Sequence, residues 1–321
     1  MNASVSALPS ESERYLLITW CCLILLTSVP GNVFILIASI RYRAIKLDKI
    51  TVILIQNIAF NDLCCTFGQT ATKLVTAFTL SWPFGDIVCK ATVYINALFT
   101  GATICMLVAL NTSKLTCLIF PLRARTRSNR AGYKIAIGLW AFQGSLLFLI
   151  ELASFLTTGE FLEASYSPLL MMCDFSDFTN PIVEDVFDFI VMLVTFIPTL
   201  VILSEAVWLL LFIKEVRRLQ QRSIVTVFTI SLVFAISYLP FGCSPTILKT
   251  MDRTPQNMII YTDYLKVAFC VQYFSYSANP LIYYFSVKSF NCFVNDTIIS
   301  RLVFRRTNSV NPRVALRLQS L

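Results

Sequence analysis

The chain has 321 residues, 56% of them apolar and 14% charged, with a mean hydropathy of +0.71 and a formal charge of +8. Water-soluble domains of this total length need far more polar surface, so the composition excludes them. The chain has no histidine, which removes every histidine-based acid–base site, and its positive charge is not gathered on one soluble face as nucleic-acid binding requires.

Residues 1–14 are polar and slightly acidic and read as an extracellular N-terminus, with Asn2-Ala3-Ser4 as a glycosylation sequon. The apolar run that follows, 15–40, is too long for a cleaved signal peptide and reads as a first span that inserts itself. It contains no Asp, Glu, Lys or Arg, and neither do 91–113, 223–248 and 267–287. Each is long enough to cross about 30 Å of hydrocarbon at about 1.5 Å per residue. Three further spans carry charge: 50–78 holds Asp62 and Lys73, 135–156 holds Glu151, and 186–213 holds Asp188 and Glu205. All are expected to be helices, because backbone in lipid must satisfy its own hydrogen bonds, and none alternates as barrel strands do. The fold expected is an all-α seven-transmembrane helix bundle over 15–290, followed by a cytoplasmic tail over 291–321.

The intervals between spans alternate in charge. Arg41, Arg43, Lys46 and Lys49 lie after the first span. Arg123, Arg125, Arg127, Arg130 and Lys134 lie after the third, and Lys214, Arg217, Arg218 and Arg222 after the fifth. The tail adds Lys288, Arg301, Arg305, Arg306, Arg313 and Arg317. The opposite segments carry acids instead, with Glu160, Glu163, Asp174, Asp177, Glu184 and Asp185 in the longest. Positive charge stays in the cytoplasm, which places the N-terminus outside and the C-terminus inside a multi-pass plasma-membrane protein, with the basic tail drawn to lipid.

Of eleven cysteines most fall inside spans and read as small apolar packing. Cys89, at the outer start of the third span, and Cys173, in the large outer loop, face an oxidising compartment with no competing outer cysteine. A disulfide between them would staple the loop over the bundle mouth. Cys292, just past the last span, is a candidate for palmitoylation. Asp62 is a carboxylate among apolar neighbours, which is costly and usually functional. Asn32 and Asn279 are amides at comparable depth, and Thr103 and Ser275 can add oxygens. The set suits a hydrogen-bonded polar core or a hard cation such as an allosteric sodium ion; no other cofactor is indicated.

These residues together resemble the rhodopsin-like (class A) G-protein-coupled receptors. The resemblance runs from about residue 15 to about 295. Its marks are Gly31-Asn32, Ala59 with Asp62-Leu63, Trp82-Pro83-Phe84-Gly85 before Cys89, Trp140, Pro198, Pro240, and Asn279-Pro280-Leu281-Ile282-Tyr283. Phe290 sits where the family's short amphipathic eighth helix begins, and Ile104, Pro198 and Phe234 match its core packing switch. Two motifs depart. The family's DRY reads Ser113-Lys114-Leu115, and its CWxP reads Ser237-Tyr238-Leu239-Pro240. Ala206 replaces a usual tyrosine, while Tyr283 is retained.

The resemblance implies a receptor that passes an extracellular ligand signal to a heterotrimeric G protein, by a population shift that moves the inner ends of the fifth and sixth helices outward. The departures imply weak or atypical coupling. Tyr273 stands where an opsin has its retinal lysine and Asn96 where an amine receptor has its aspartate, which disfavours both ligand classes. An outer pocket lined by Asn96, Tyr238, Phe241, Phe269, Gln272 and Tyr273 would be aromatic and mostly neutral. The outer acids would steer a basic peptide, the first choice of ligand ahead of a small apolar or lipid one. A transporter or channel is the alternative from another class, but no internal repeat is visible.

Overall fold

The uncharged apolar runs fold into long helices, the one spanning structure that closes its own backbone hydrogen bonds. The structure, a computed structural model, describes residues 9–41, 49–120, 128–159, 162–175, 181–211, 218–252 and 254–286. Asn2, Cys292, the expected eighth helix at Phe290, the tail and most of the inner-loop arginines lie outside the described residues. In chain order the helices are α1 (Glu11–Arg41), α2 (Lys49–Thr79), α3 (Asp86–Ile119), α4 (Asn129–Thr158), α5 (Pro181–Leu211), α6 (Arg218–Thr250) and α7 (Pro255–Ser286). A hairpin of β1 (Ala164–Ser167) and β2 (Met172–Phe175) lies between α4 and α5, paired antiparallel with Ser167 opposite Met172.

Six of these helices, α1 to α6, hold stretches long and apolar enough to cross a membrane. The last, α7, is as long but less apolar, and its burial pattern explains why. Gln272, Ser275, Ser277 and Asn279 are buried on its inner face, while Val267, Phe274, Leu281 and Phe285 point outward. The other helices also present large apolar side chains outward, among them Leu26, Ile40, Ile137, Phe148, Leu200 and Trp208. A continuous apolar exterior of this kind requires lipid.

The bundle is ordered by sequence neighbours: α1 packs on α2 and α7, α2 on α3 and α4, α3 on α5, and α6 between α5 and α7. Prolines interrupt the helices, and each removes one backbone N–H. Pro245 in α6 leaves the carbonyl of Phe241 without its helical donor, and the Ser244 hydroxyl donates to it at 2.7 Å. Pro280 in α7 leaves the carbonyl of Tyr276, and Asn32 Nδ2 on α1 donates to it at 2.9 Å. Gly31 makes that reach possible. A Cβ there would lie 2.6 Å from Cβ of Pro280, so only glycine lets α1 and α7 approach so closely.

α2 is not a uniform helix. Its middle, Thr66–Ala71, is π-helical, between the α-helical stretches Lys49–Cys65 and Thr72–Thr79. One extra residue in a helix rotates everything beyond it by about 100°. That rotation sets which side chains of the outer third of α2 face the bundle.

Candidate functional site

The half of the bundle next to the β1–β2 hairpin, the outer half in the expected orientation, encloses a cavity of about 620 Å³. Its walls come from α2 to α7, and β2 roofs it through Met172, Cys173, Asp174 and Phe175. The roof is fixed by a disulfide between Cys89 at the start of α3 and Cys173 on β2. A second tie holds the hairpin tip. Met171 adopts a positive φ of 51°, and its carbonyl accepts the Thr76 hydroxyl at 2.6 Å. Leu170 and Met172 then bury themselves beside Phe269, Tyr273 and Tyr276.

Four of the expected pocket residues, Asn96, Phe241, Phe269 and Gln272, line this cavity. Tyr238 and Tyr273 do not. Tyr238 lies buried against Phe234, with ring centroids 4.3 Å apart, and Tyr273 stacks on Tyr276 at 6.1 Å. Both rings are large enough to be taken up by interhelical packing before they reach the wall. Other wall residues had no signal in the sequence: Gln69, Gln143, Thr195, Ser244 and Tyr261 are polar side chains made neighbours only by the tertiary fold. The wall is also less neutral than expected, because Asp174, Glu184 and Asp188 line it. Lys249 at the end of α6 binds Asp185 at 2.8 Å and Asp188 at 3.2 Å, tying α6 to α5 at the outer rim. Burial pushes the Asp174 carboxyl up to about 6, against the N–H of Phe175 and the charge of Lys73, which both lower it.

Below the cavity lies the polar core. Asp62 accepts a hydrogen bond from Asn279 Nδ2 at 2.8 Å, joining α2 to α7. The other expected members point elsewhere. Asn32 serves Tyr276 and Ser28, Thr103 accepts from Asn61 at 3.2 Å, and Ser275 donates to the carbonyl of Gln272 at 2.7 Å. Ser28 and Thr66, absent from the expected set, bond to each other at 2.7 Å, and Thr66 donates to the Asp62 carbonyl. The Oδ1 atoms of Asn32 and Asn61 are buried without a donor. Carboxylate and amide oxygens are the chemical type that a hard cation takes.

The route inward is apolar. Ile104 lines the cavity floor and belongs to the same buried cluster as Phe234, Tyr238, Ile202 and Tyr283. Pro198 lies inside α5 and Pro240 inside α6, where the Pro240 carbonyl accepts the Tyr264 hydroxyl. At the inner end Ser113 and Lys114 are buried, Lys114 at 9% exposure, and Ala206 is fully buried. Glu205, next to Ala206, accepts the Thr112 hydroxyl at 2.7 Å, so an acid does approach the end of α3, but from α5. Asn111 on α3 and Ser231 on α6 exchange hydrogen bonds of 2.9 and 3.2 Å.

A model of the "7 transmembrane receptor (rhodopsin family)" matches residues 31–283. The chain belongs to this family. It is a G-protein-coupled receptor, and its relatives include receptors for peptides. It is 25% identical to the type-1 angiotensin II receptor B of Xenopus laevis over 83% of this chain and 74% of that one. It is 27% identical to the neuropeptide FF receptor 1 of Rattus norvegicus over 42% of this chain and 30% of that one. It is 20% identical to the lysophosphatidic acid receptor 4 of Mus musculus over 84% and 75%.

Proposed function

We propose that this receptor spans the plasma membrane seven times with its N-terminus outside, binds an extracellular peptide in the roofed cavity, and signals to a heterotrimeric G protein with atypical strength. The observation that carries the reading is the cavity itself. It opens under a disulfide-tethered hairpin, carries acids at its α5 rim, and ends on Ile104, which packs into the cluster of Phe234 and Tyr238. A ligand seated there shifts the equilibrium only by binding the open state better than the closed one. The rim acids favour a peptide with basic residues through steering and through competition with Lys249 for Asp188. Two of the relatives named above are peptide receptors by name, and the third, named for a lysophospholipid, keeps the lipid reading second. The test is a screen of basic peptides against a promiscuous G-protein recruitment reporter, with Asp188→Asn beside the wild type. An agonist peptide should lose about tenfold in potency in the variant. Agonists confined to neutral lipids would overturn the peptide assignment.

The core below is proposed to hold a sodium ion, with Asp62 supplying the charge and Asn32 among the neutral oxygens. Added sodium should raise the melting temperature of the purified receptor above that in choline. Asp62→Asn should erase the difference, and a sodium response that persists in the variant rules out the site.

A further inference from the structure

Lys73 is a buried charged side chain for which neither the fold nor the proposed signalling route has a use. It is 2% exposed, on the last α-helical stretch of α2. A buried ammonium is costly unless paired and hydrogen-bonded. Its partners here are weak: the thioether of Met172 at 3.8 Å, the ring of Phe269 at 5.2 Å and the ring of Tyr273 at 5.4 Å. Aromatic faces attract a cation but do not replace a carboxylate. Asp174 acts on it only through space, and among the described residues no carboxylate forms an ion pair with it. The π turn before it rotates it inward, so a regular α2 would have placed it elsewhere.

Two of its three contacts, Met172 and Phe269, are walls of the ligand cavity, so the ammonium lies one side chain behind that wall. Met172 is unbranched and flexible, the kind of side chain that yields to an incoming group. The cavity also holds unspent polar capacity. Gln272 and Gln143 are 2% and 4% exposed, both line it, and the Oε1 of each is buried without a donor. Buried polar atoms that lack partners mark places where something else binds.

We propose that Lys73 is the anion anchor of this cavity: an anionic group of the ligand, a carboxylate or a phosphate, displaces the Met172 thioether and pairs with the Lys73 ammonium. This rests on the reading of the cavity as the ligand site. The ligand is then an amphiphile with its acid toward α2 and its donors toward Gln143 and Gln272. A basic group, where present, lies at the α5 rim.

The test uses the purified full chain and three soluble probes of similar shape: 3-phenylpropionate, phenyl phosphate and the neutral 3-phenylpropionamide. At about tenfold excess over its dissociation constant an anion should raise the melting temperature by roughly 2–5 °C more than the amide does. Lys73→Met, which keeps the stem and removes the charge, should melt no lower than wild type without probe and should lose the anion response. Met172→Ala, which clears the path, should enlarge it. The larger of the two anion responses tells a carboxylate-bearing ligand from a phosphate-bearing one. No anion-specific rise in wild type, an undiminished rise in Lys73→Met, or no gain in Met172→Ala overturns the proposal. The readout contains no G protein, so its failure leaves the coupling assignment standing, and a failure of coupling leaves this site standing.

Discussion

Pro280 cannot donate to the carbonyl of Tyr276, and Asn32 donates to it from the neighbouring helix. That one bond explains why Gly31, Asn32 and Pro280 belong together: the glycine gives the approach, the proline creates the vacancy and the amide fills it. From sequence, Asn32 reads as a partner for Asp62, because both are polar at similar depth. Depth does not say which neighbour a proline has left in need. Asp174 is a residue whose environment makes a measurable prediction. Its carboxyl is pushed from 3.8 up to about 6 by burial under the roof. The folded state therefore holds a proton that the unfolded state has already lost. As pH rises from about 4 to about 6 the folded state binds more protons than the unfolded one, so this group lowers stability across that window. Melting temperatures of wild type and Asp174→Asn should converge toward pH 4 and separate by pH 7, with the variant higher. Parallel curves would mean that the carboxyl titrates alike folded and unfolded.

At the scale of elements, the helices were legible wherever charge was absent, because a long apolar run leaves the chain no other way to cross lipid. α7 was legible only in its inner two thirds, and hydropathy undersells it because its polar side chains face inward. The disulfide was legible by elimination among cysteines. The hairpin was not: Ala164–Ser167 and Met172–Phe175 pair over too few residues to leave a pattern. Nor was the π turn in α2, which no local composition announces. It explains why Lys73 reads from sequence as a stray charge in a span. Two hydrogen bonds between Asn111 and Ser231 join α3 to α6. In the proposed signalling, an outward swing of α6 would break both. Asn111→Ala removes both bonds, together about 1–3 kcal/mol for the state that has them and nothing for a state in which they are already broken. Basal G-protein recruitment per surface receptor should rise about fivefold or more. A fall in basal signal at normal surface level would show that the tie serves the open state instead.

For the whole molecule the question is how a ligand at the roof reaches a G protein at the other end when the usual inner charges are missing. The outer half is intact: a tethered roof, a cavity, and Ile104 set into the cluster of Phe234 and Tyr238. Tyr238 stacks on Phe234 within that cluster. The inner half differs. For the proposed coupling, Ser113 supplies no carboxylate beside Lys114 and Ala206 no hydroxyl, while Tyr283 is kept. What the sequence did not reveal is the partner of Glu205, the acid one residue before Ala206, which accepts the hydroxyl of Thr112 on α3. It adds one exposed bond to the packing of α3 on α5, and its second oxygen is buried with no hydrogen-bond donor. Lysine presents a point charge where arginine presents a planar fork, so the active-state contact to a G protein loses its bidentate geometry. Lys114→Arg should therefore raise agonist-independent and agonist-driven recruitment by about tenfold while changing surface expression little. Adding Ser113→Asp to that variant places a carboxylate beside the new guanidinium and should bring the basal signal back down. The measurement is G-protein recruitment normalised to receptor at the surface. A wild type that already couples as strongly as a typical family member, with no gain in Lys114→Arg, would place the coupling contact on Glu205 and α5 rather than on the end of α3.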